Sequence, residues 1–301
     1  MYAIPPGQLP QYDVNPIGFN RDKNFAYSVT GGKWGVFWDL NSGDAESTFM
    51  PAEGMTISPD GKWLGRFGRP NLASMNKKVE PIPNSNMTAV AFSPDSKQIY
   101  CGTAKGEIGG WNVGDKTHFF EVAMTKEIIT ITADDQKRLF VAANNNEVSC
   151  WKLGRKDAEF LLTYTQHQAP VKLINISPDG KYALTVADEN VRKEFSRTEG
   201  VLDLHIWEID SQKKMYSTKI GRHPSAFAIS DDWRWMLIGE SDNQIYLWDL
   251  AAGKEIVRYQ GHLDYVSSLA FSPSNNFALS GSRDFWVIQW GLPETLWKQN
   301  P

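Results

Sequence analysis

Gly261-His262-Leu263-Asp264-Tyr265-Val266-Ser267-Ser268-Leu269-Ala270-Phe271-Ser272-Pro273-Ser274-Asn275-Asn276-Phe277-Ala278-Leu279-Ser280-Gly281-Ser282-Arg283-Asp284-Phe285-Trp286-Val287-Ile288-Gln289-Trp290 is the stretch whose reading decides the fold. Three apolar runs, Val266 to Phe271, Phe277 to Ser280 and Trp286 to Trp290, are separated by clusters of turn-forming residues, so the segment reads as short antiparallel strands joined by tight turns. Its Ser272 and Trp290 lie 18 positions apart, and Ser93 to Trp111, Ser230 to Trp248 and Asn20 to Trp38 keep the same interval. Thr132 to Trp151 is one residue longer. A fixed internal period marks a repeat architecture, in which each unit buries its apolar face only against a neighbour.

The repeat tryptophans fall at positions 38, 111, 151, 207, 248 and 290, and the first gap of 73 is about twice the ordinary unit. Ser58-Pro59-Asp60-Gly61 announces a unit hidden in that gap, with its Trp slot expected near Asn76. Seven units then divide 301 residues into 43 each.

Trp248-Asp249-Leu250, Gly261-His262, Phe271-Ser272-Pro273 and Ser280-Gly281-Ser282-Arg283-Asp284 followed by Trp290 resemble the WD-repeat β-propeller family, and the wording of the later units is similar to bacterial members. The resemblance implies an all-β fold, a seven-bladed β-propeller of four-stranded antiparallel blades. Residues 1–301 form a single propeller domain on this reading, with blades at about 13–50, 51–85, 86–123, 124–166, 167–221, 222–260 and 261–301. The innermost strands would centre on Ile17, Met55, Val90, Ile129, Leu173, Phe227 and Leu269. Turns six residues before each Trp share one face, here termed upper. An open ring would expose sheet edges; residues 8–12 are the expected closing strand, with Thr295 to Gln299 as the rival.

A net charge of −4 without a basic stripe argues against nucleic acid as a partner. Cys101 and Cys150 read as small core residues, and no apolar run reaches the length of a membrane span. Residues 1–6 lack the charged and apolar regions of a signal peptide, so a complete chain would be cytoplasmic.

His262, Ser280, Asp284 and Trp290 contain the residue types of a catalytic triad, but in the family this set is a buried structural network. His167 with Thr185 repeats part of it, as do His223, Asp242 and Trp248. His118 and His205 read as isolated structural residues. No metal is expected, because neither H-x-x-x-H nor C-x-x-C nor an acidic cluster at ligand spacing occurs, and no cofactor is expected without a Gly-rich phosphate loop. The fifth unit departs most from the template: Ser177 to Trp207 spans 30, so twelve residues, 189–200, are inserted as an upper-face loop.

The reading is a non-catalytic binding module for other proteins or another domain of the same polypeptide. The partner-binding set is Trp34, Lys105, Phe195, Arg197, Tyr265 and Arg283, aromatic and cationic anchors on upper turns. The alternative from another class is a propeller hydrolase or lactonase working at the channel mouth.

Overall fold

The computed structural model describes residues 14–20, 25–30, 34–39, 45–49, 55–60, 62–66, 71–74, 79–81, 87–115, 117–189, 201–221 and 224–294. Twenty-seven strands run through them in chain order. They are β1 (Val14–Asn20), β2 (Phe25–Thr30), β3 (Trp34–Asp39) and β4 (Ala45–Phe49); β5 (Met55–Ile57), β6 (Trp63–Arg66), β7 (Asn71–Ser74) and β8 (Val79–Pro81); β9 (Met87–Phe92), β10 (Gln98–Thr103), β11 (Glu107–Asn112) and β12 (His118–Ala123). There follow β13 (Ile128–Ala133), β14 (Arg138–Ala143), β15 (Val148–Leu153) and β16 (Ala158–Tyr164); β17 (Val171–Ile176), β18 (Tyr182–Asp188), β19 (Val201–Glu208) and β20 (Lys214–Gly221); β21 (Pro224–Ile229), β22 (Trp235–Glu240), β23 (Gln244–Asp249) and β24 (Lys254–Gln260); and β25 (Val266–Phe271), β26 (Phe277–Ser282) and β27 (Val287–Gly291). Consecutive strands pair into seven sheets in chain order, six of four strands and the last of three. The all-β architecture of antiparallel, mostly four-stranded sheets agrees with a propeller. Both candidate closing segments, residues 8–12 and 295–299, lie outside the described residues.

Two compact units are present. Unit 2, residues 55–222, holds the second to fifth sheets. Its third sheet packs on the fourth through Tyr100, Phe120, Ile128, Ile131 and Leu139, and the fourth on the fifth through Phe140, Cys150, Tyr164, Ile174 and Trp207. Unit 1, residues 1–54 with 223–301, holds the first, sixth and seventh sheets. There the sixth packs on the seventh through Leu237, Leu247, Val266 and Leu269. The first sheet also lies against the seventh: Ala26 meets Leu279 and Val287, and the Phe19 ring stands edge-on to Phe277 at 5.5 Å. The first and last sheets of the chain are therefore neighbours. Second strands such as β14 and β22 are buried at every residue, being covered on both faces, whereas the outer strand β24 alternates exposed and half-buried side chains. Cys101 and Cys150 are buried and unpaired.

One turn recurs between first and second strands. In Ser93-Pro94-Asp95-Ser96, the Ser93 hydroxyl donates to Asp95 (2.7 Å), Asp95 accepts the Lys97 N–H (3.1 Å), and Ser93 Oγ accepts the Gln98 N–H (2.9 Å). Ser58, Ser177 and Ser230 repeat this set with Asp60, Asp179 and Asp232. The fourth residue adopts left-handed φ at Ser96 (60°), Gly180 (69°), Trp233 (61°) and Asn275 (53°). Trp233 thus lies in the turn before β22. Neighbouring turns in unit 2 are tied together: the Asp60 N–H donates to Ser96 Oγ (2.9 Å), the Gln136 amide donates to the Asp179 carbonyl (3.1 Å), and Arg138, ion-paired with Asp134, donates to the Gly180 carbonyl.

Two expected positions shift. In the fourth unit Thr132 lies within β13, and Asp134 replaces the serine, accepting the Gln136 N–H (2.9 Å) and Arg138 N–H (2.8 Å) in a turn one residue shorter. In the second unit the position facing a repeat Trp is Leu64, as Ile99 faces Trp111 and Ala278 faces Trp290, and its partner is Ala73, not a residue near Asn76. The pair is nine residues apart, against twelve in the third and seventh sheets, because β6 and β7 are four residues each and their ladder runs a shorter way beyond this pair.

Candidate interaction surface and buried histidine networks

In the seventh sheet, His262 precedes β25, Ser280 belongs to β26, Asp284 to the β26–β27 turn and Trp290 to β27. His262 Nε2 lies 2.6 Å from Ser280 Oγ and Nδ1 2.8 Å from Asp284 Oδ2. The Trp290 indole N–H donates to Ser280 Oγ (2.7 Å), and the Leu263 N–H donates to Asp284 (2.7 Å). Burial pushes the His262 pKa below the ordinary value, against the pull of Asp284. The ring is neutral at pH 7: Nδ1–H donates to the carboxylate, and Nε2 accepts the serine proton. This is the relative order of nucleophile, base and orienting acid, but Ser280 is 0% exposed and its oxygen is engaged by Trp290. A nucleophile needs an accessible reacting atom beside it; the set acts as a clamp tying turn to strand.

The fifth sheet builds a larger version. His167 Nε2 lies 2.7 Å from Thr185 Oγ1, which accepts the Trp207 indole N–H (3.2 Å), and His167 Nδ1 lies 3.2 Å from Asp203 Oδ2. His205 is not isolated. Its Nε2 lies 3.0 Å from the same Asp203 oxygen, its Nδ1 lies 2.9 Å from the Tyr164 hydroxyl, and its ring stacks on His167 at 4.0 Å. Tyr164 in turn stacks on Trp207 at 4.3 Å. Burial lowers the pKa of both histidines. Asp203, His205 and Trp207 alternate along β19 and so share one sheet face. That Asp-x-His-x-Trp alternation was the available sequence signal, and a search for H-x-x-x-H and C-x-x-C spacings passes over it.

Of the residues expected to bind partners, Tyr265 and Arg283 are brought together: the guanidinium lies 5.2 Å from the ring centre, and the Arg283 N–H donates to the Tyr265 carbonyl (3.1 Å). Beside them in the same two loops are Leu263, 82% exposed, and Phe285, 39% exposed with φ 71°. Sequence reasoning did not select these two, since single apolar residues in turns carry no periodic signal. Lys105 is exposed in the β10–β11 turn of unit 2, and Trp34 opens β3 of unit 1. Phe195 and Arg197 lie outside the described residues. At the base of that segment, Glu189 pairs with Lys219 at 2.8 Å. No helix among the described residues is long and apolar enough to cross a membrane.

Residues 253–291 match the WD domain, G-beta repeat. The WD repeat-containing protein 26 homolog of Arabidopsis thaliana is 24% identical over 345 residues, covering 96% of this chain and 58% of that protein. Cilia- and flagella-associated protein 52 of Homo sapiens is 24% identical over 69% of this chain and 32% of its own length. A subunit of chromatin assembly factor 1 from Saccharomyces cerevisiae is 25% identical over 52% of this chain and 40% of its own. The chain thus spans at most 58% of the length of these relatives. Residues 253–291 thus match one WD repeat, and most of the chain is similar to a WD repeat-containing protein.

Proposed function

We propose that this chain is a non-catalytic protein-interaction module on a seven-bladed WD-repeat propeller. The observation that carries the reading is the cluster of Leu263, Tyr265, Arg283 and Phe285 in two adjoining loops of the seventh sheet. Stiff, backbone-bonded turns present two exposed apolar side chains beside a cation held over an aromatic ring, a composition suited to a buried anchor with a polar rim. Relatives named for complexes and assemblies support a scaffold role. The remaining expected contacts, Trp34, Lys105, Phe195 and Arg197, belong to the same proposal, with a partner that offers an apolar side chain and an acidic group. A cytoplasmic setting, on the condition that the chain is a whole protein, and a similarity to bacterial members are further parts of it. The hydrolase reading is disfavoured by the inaccessibility of Ser280.

The test is recovery of binding proteins at moderate salt by wild type and by the double variant Leu263→Ser, Phe285→Ser. Partners held by wild type should be recovered at least tenfold less well by the variant, about 1.4 kcal/mol. Equal recovery by both overturns the assignment of this surface. A hydrolytic activity abolished by Ser280→Ala in a folded protein overturns the non-catalytic reading.

A further inference from the structure

The seventh sheet shows what the clamp requires: one His, one hydroxyl, one Trp and one acid. The fifth sheet has all four and adds a second buried imidazole. His205 stands opposite Thr185, and the position opposite Ser280 in the seventh sheet is Ile288. An aliphatic side chain therefore suffices at this position for the clamp. A buried polar ring there is costly unless partnered; its partners are the Asp203 carboxylate and the Tyr164 hydroxyl, and a second imidazole is stacked on its face.

We propose that His167 Nδ1, His205 Nε2 and Asp203 Oδ2 form a site for one divalent transition-metal ion of the zinc class. The three ligand atoms lie within 4.8 Å of one another, and all three residues are buried. Asp203 Oδ2 is 3.2 Å from His167 Nδ1 and 3.0 Å from His205 Nε2. Around a tetrahedral ion with bonds of about 2.0–2.1 Å, adjacent ligand atoms stand roughly 3.3 Å apart, so these two edges already have the right length. The outer nitrogens have the oxygen partners that orient metal-bound imidazoles: Thr185 Oγ1 at 2.7 Å from His167 Nε2 and the Tyr164 hydroxyl at 2.9 Å from His205 Nδ1. Occupation requires each ring to carry its proton on the outer nitrogen, a change of tautomer and not of charge, and the two rings, stacked at 4.0 Å and 13° from parallel, to tilt apart until both in-plane lone pairs meet at the ion; the hydroxyls can accept as well as donate. The ion would neutralise the buried carboxylate, and three protein ligands leave one position for water. Two imidazoles with one carboxylate favour zinc, cobalt, nickel or copper over magnesium or calcium.

The test uses the whole chain, stripped with a chelator and then offered Zn(II) or Co(II). One ion per chain should survive gel filtration, and the Co(II) form should show the intense visible absorption of four-coordinate cobalt. His205→Ile, which copies the seventh sheet, should weaken binding at least a hundredfold with the fold retained by circular dichroism. His205→Gln, which keeps a hydrogen-bonding side chain, should weaken it similarly and serves if the isoleucine variant fails to fold. Failure of folded wild type to retain an ion from excess Zn(II), or equal affinity in wild type and a folded His205 variant, overturns the site.

Discussion

The fifth and seventh sheets make the same clamp from the same residue types but draw the acid from different places. Asp284 sits in a turn six residues before Trp290, whereas Asp203 sits inside β19 four residues before Trp207. The cause is the hairpin. β18 and β19 are seven and eight residues long, against six and five for β26 and β27, so pairing continues to Asp188 and Leu202 and a paired position supplies the carboxylate. What is kept is the sheet face and the distance to the imidazole, not the count along the chain. The third sheet gives a further contrast: Cys101 occupies the place of Thr185 and Ser280, two residues beyond the one facing the Trp, and the buried Trp111 Nε1 has no partner among the described residues.

The largest effect is expected where a clamp has a single imidazole. His262→Ala leaves the buried Asp284 carboxylate without its imidazole and held by the Leu263 and Trp286 N–H groups, and should cost about 3 kcal/mol in chemical denaturation. His167→Ala leaves Asp203 with His205 and should cost measurably less. Equal losses would break the comparison by showing that the second imidazole adds no support. A smaller effect lies in pH dependence. Because the folded pKa of His262 is depressed, its stabilising share is fully present above the unfolded value near 6.5 and is lost as pH falls through the folded one. Wild type should therefore lose stability between pH 7 and pH 5 more steeply than His262→Gln; parallel curves would contradict the burial-driven shift. The smallest is a gain: Cys101→Ser places a hydroxyl within the pattern that serves Trp290 and should stabilise the protein by about 1 kcal/mol. A loss would show that the third sheet holds Trp111 at a different angle.

Most of the fold was legible because its signals are short-range. Ser-Pro-Asp-Gly turns close within five residues, and the interval of 18 to the Trp is set by one hairpin, so local chemistry writes the period into the sequence. The shifted positions are those where another residue type meets the same geometric need. Asp134 accepts the backbone N–H groups that serine accepts elsewhere, and the short strands β6 and β7 move the Trp position to Ala73. The seventh-sheet network was readable from its residue types. His205 was not, because Tyr164 comes from β16 of the fourth sheet and Asp203 from β19 of the fifth, and only the packing of the two sheets brings both to one ring. Leu263 and Phe285 were missed for the opposite reason: exposure of a single turn residue is decided by tertiary packing.

The bonds between neighbouring turns give unit 2 a mechanical character. With the Asp60 N–H on Ser96, and Gln136 and Arg138 on the 179–180 backbone, a load on one hairpin passes to the next through hydrogen bonds and a buried ion pair as well as through side-chain packing. Stacked repeats otherwise let go one at a time. Pulled from its ends, this unit should yield in steps of two sheets, second with third and fourth with fifth, and Arg138→Leu should split the latter step into two in a force–extension trace.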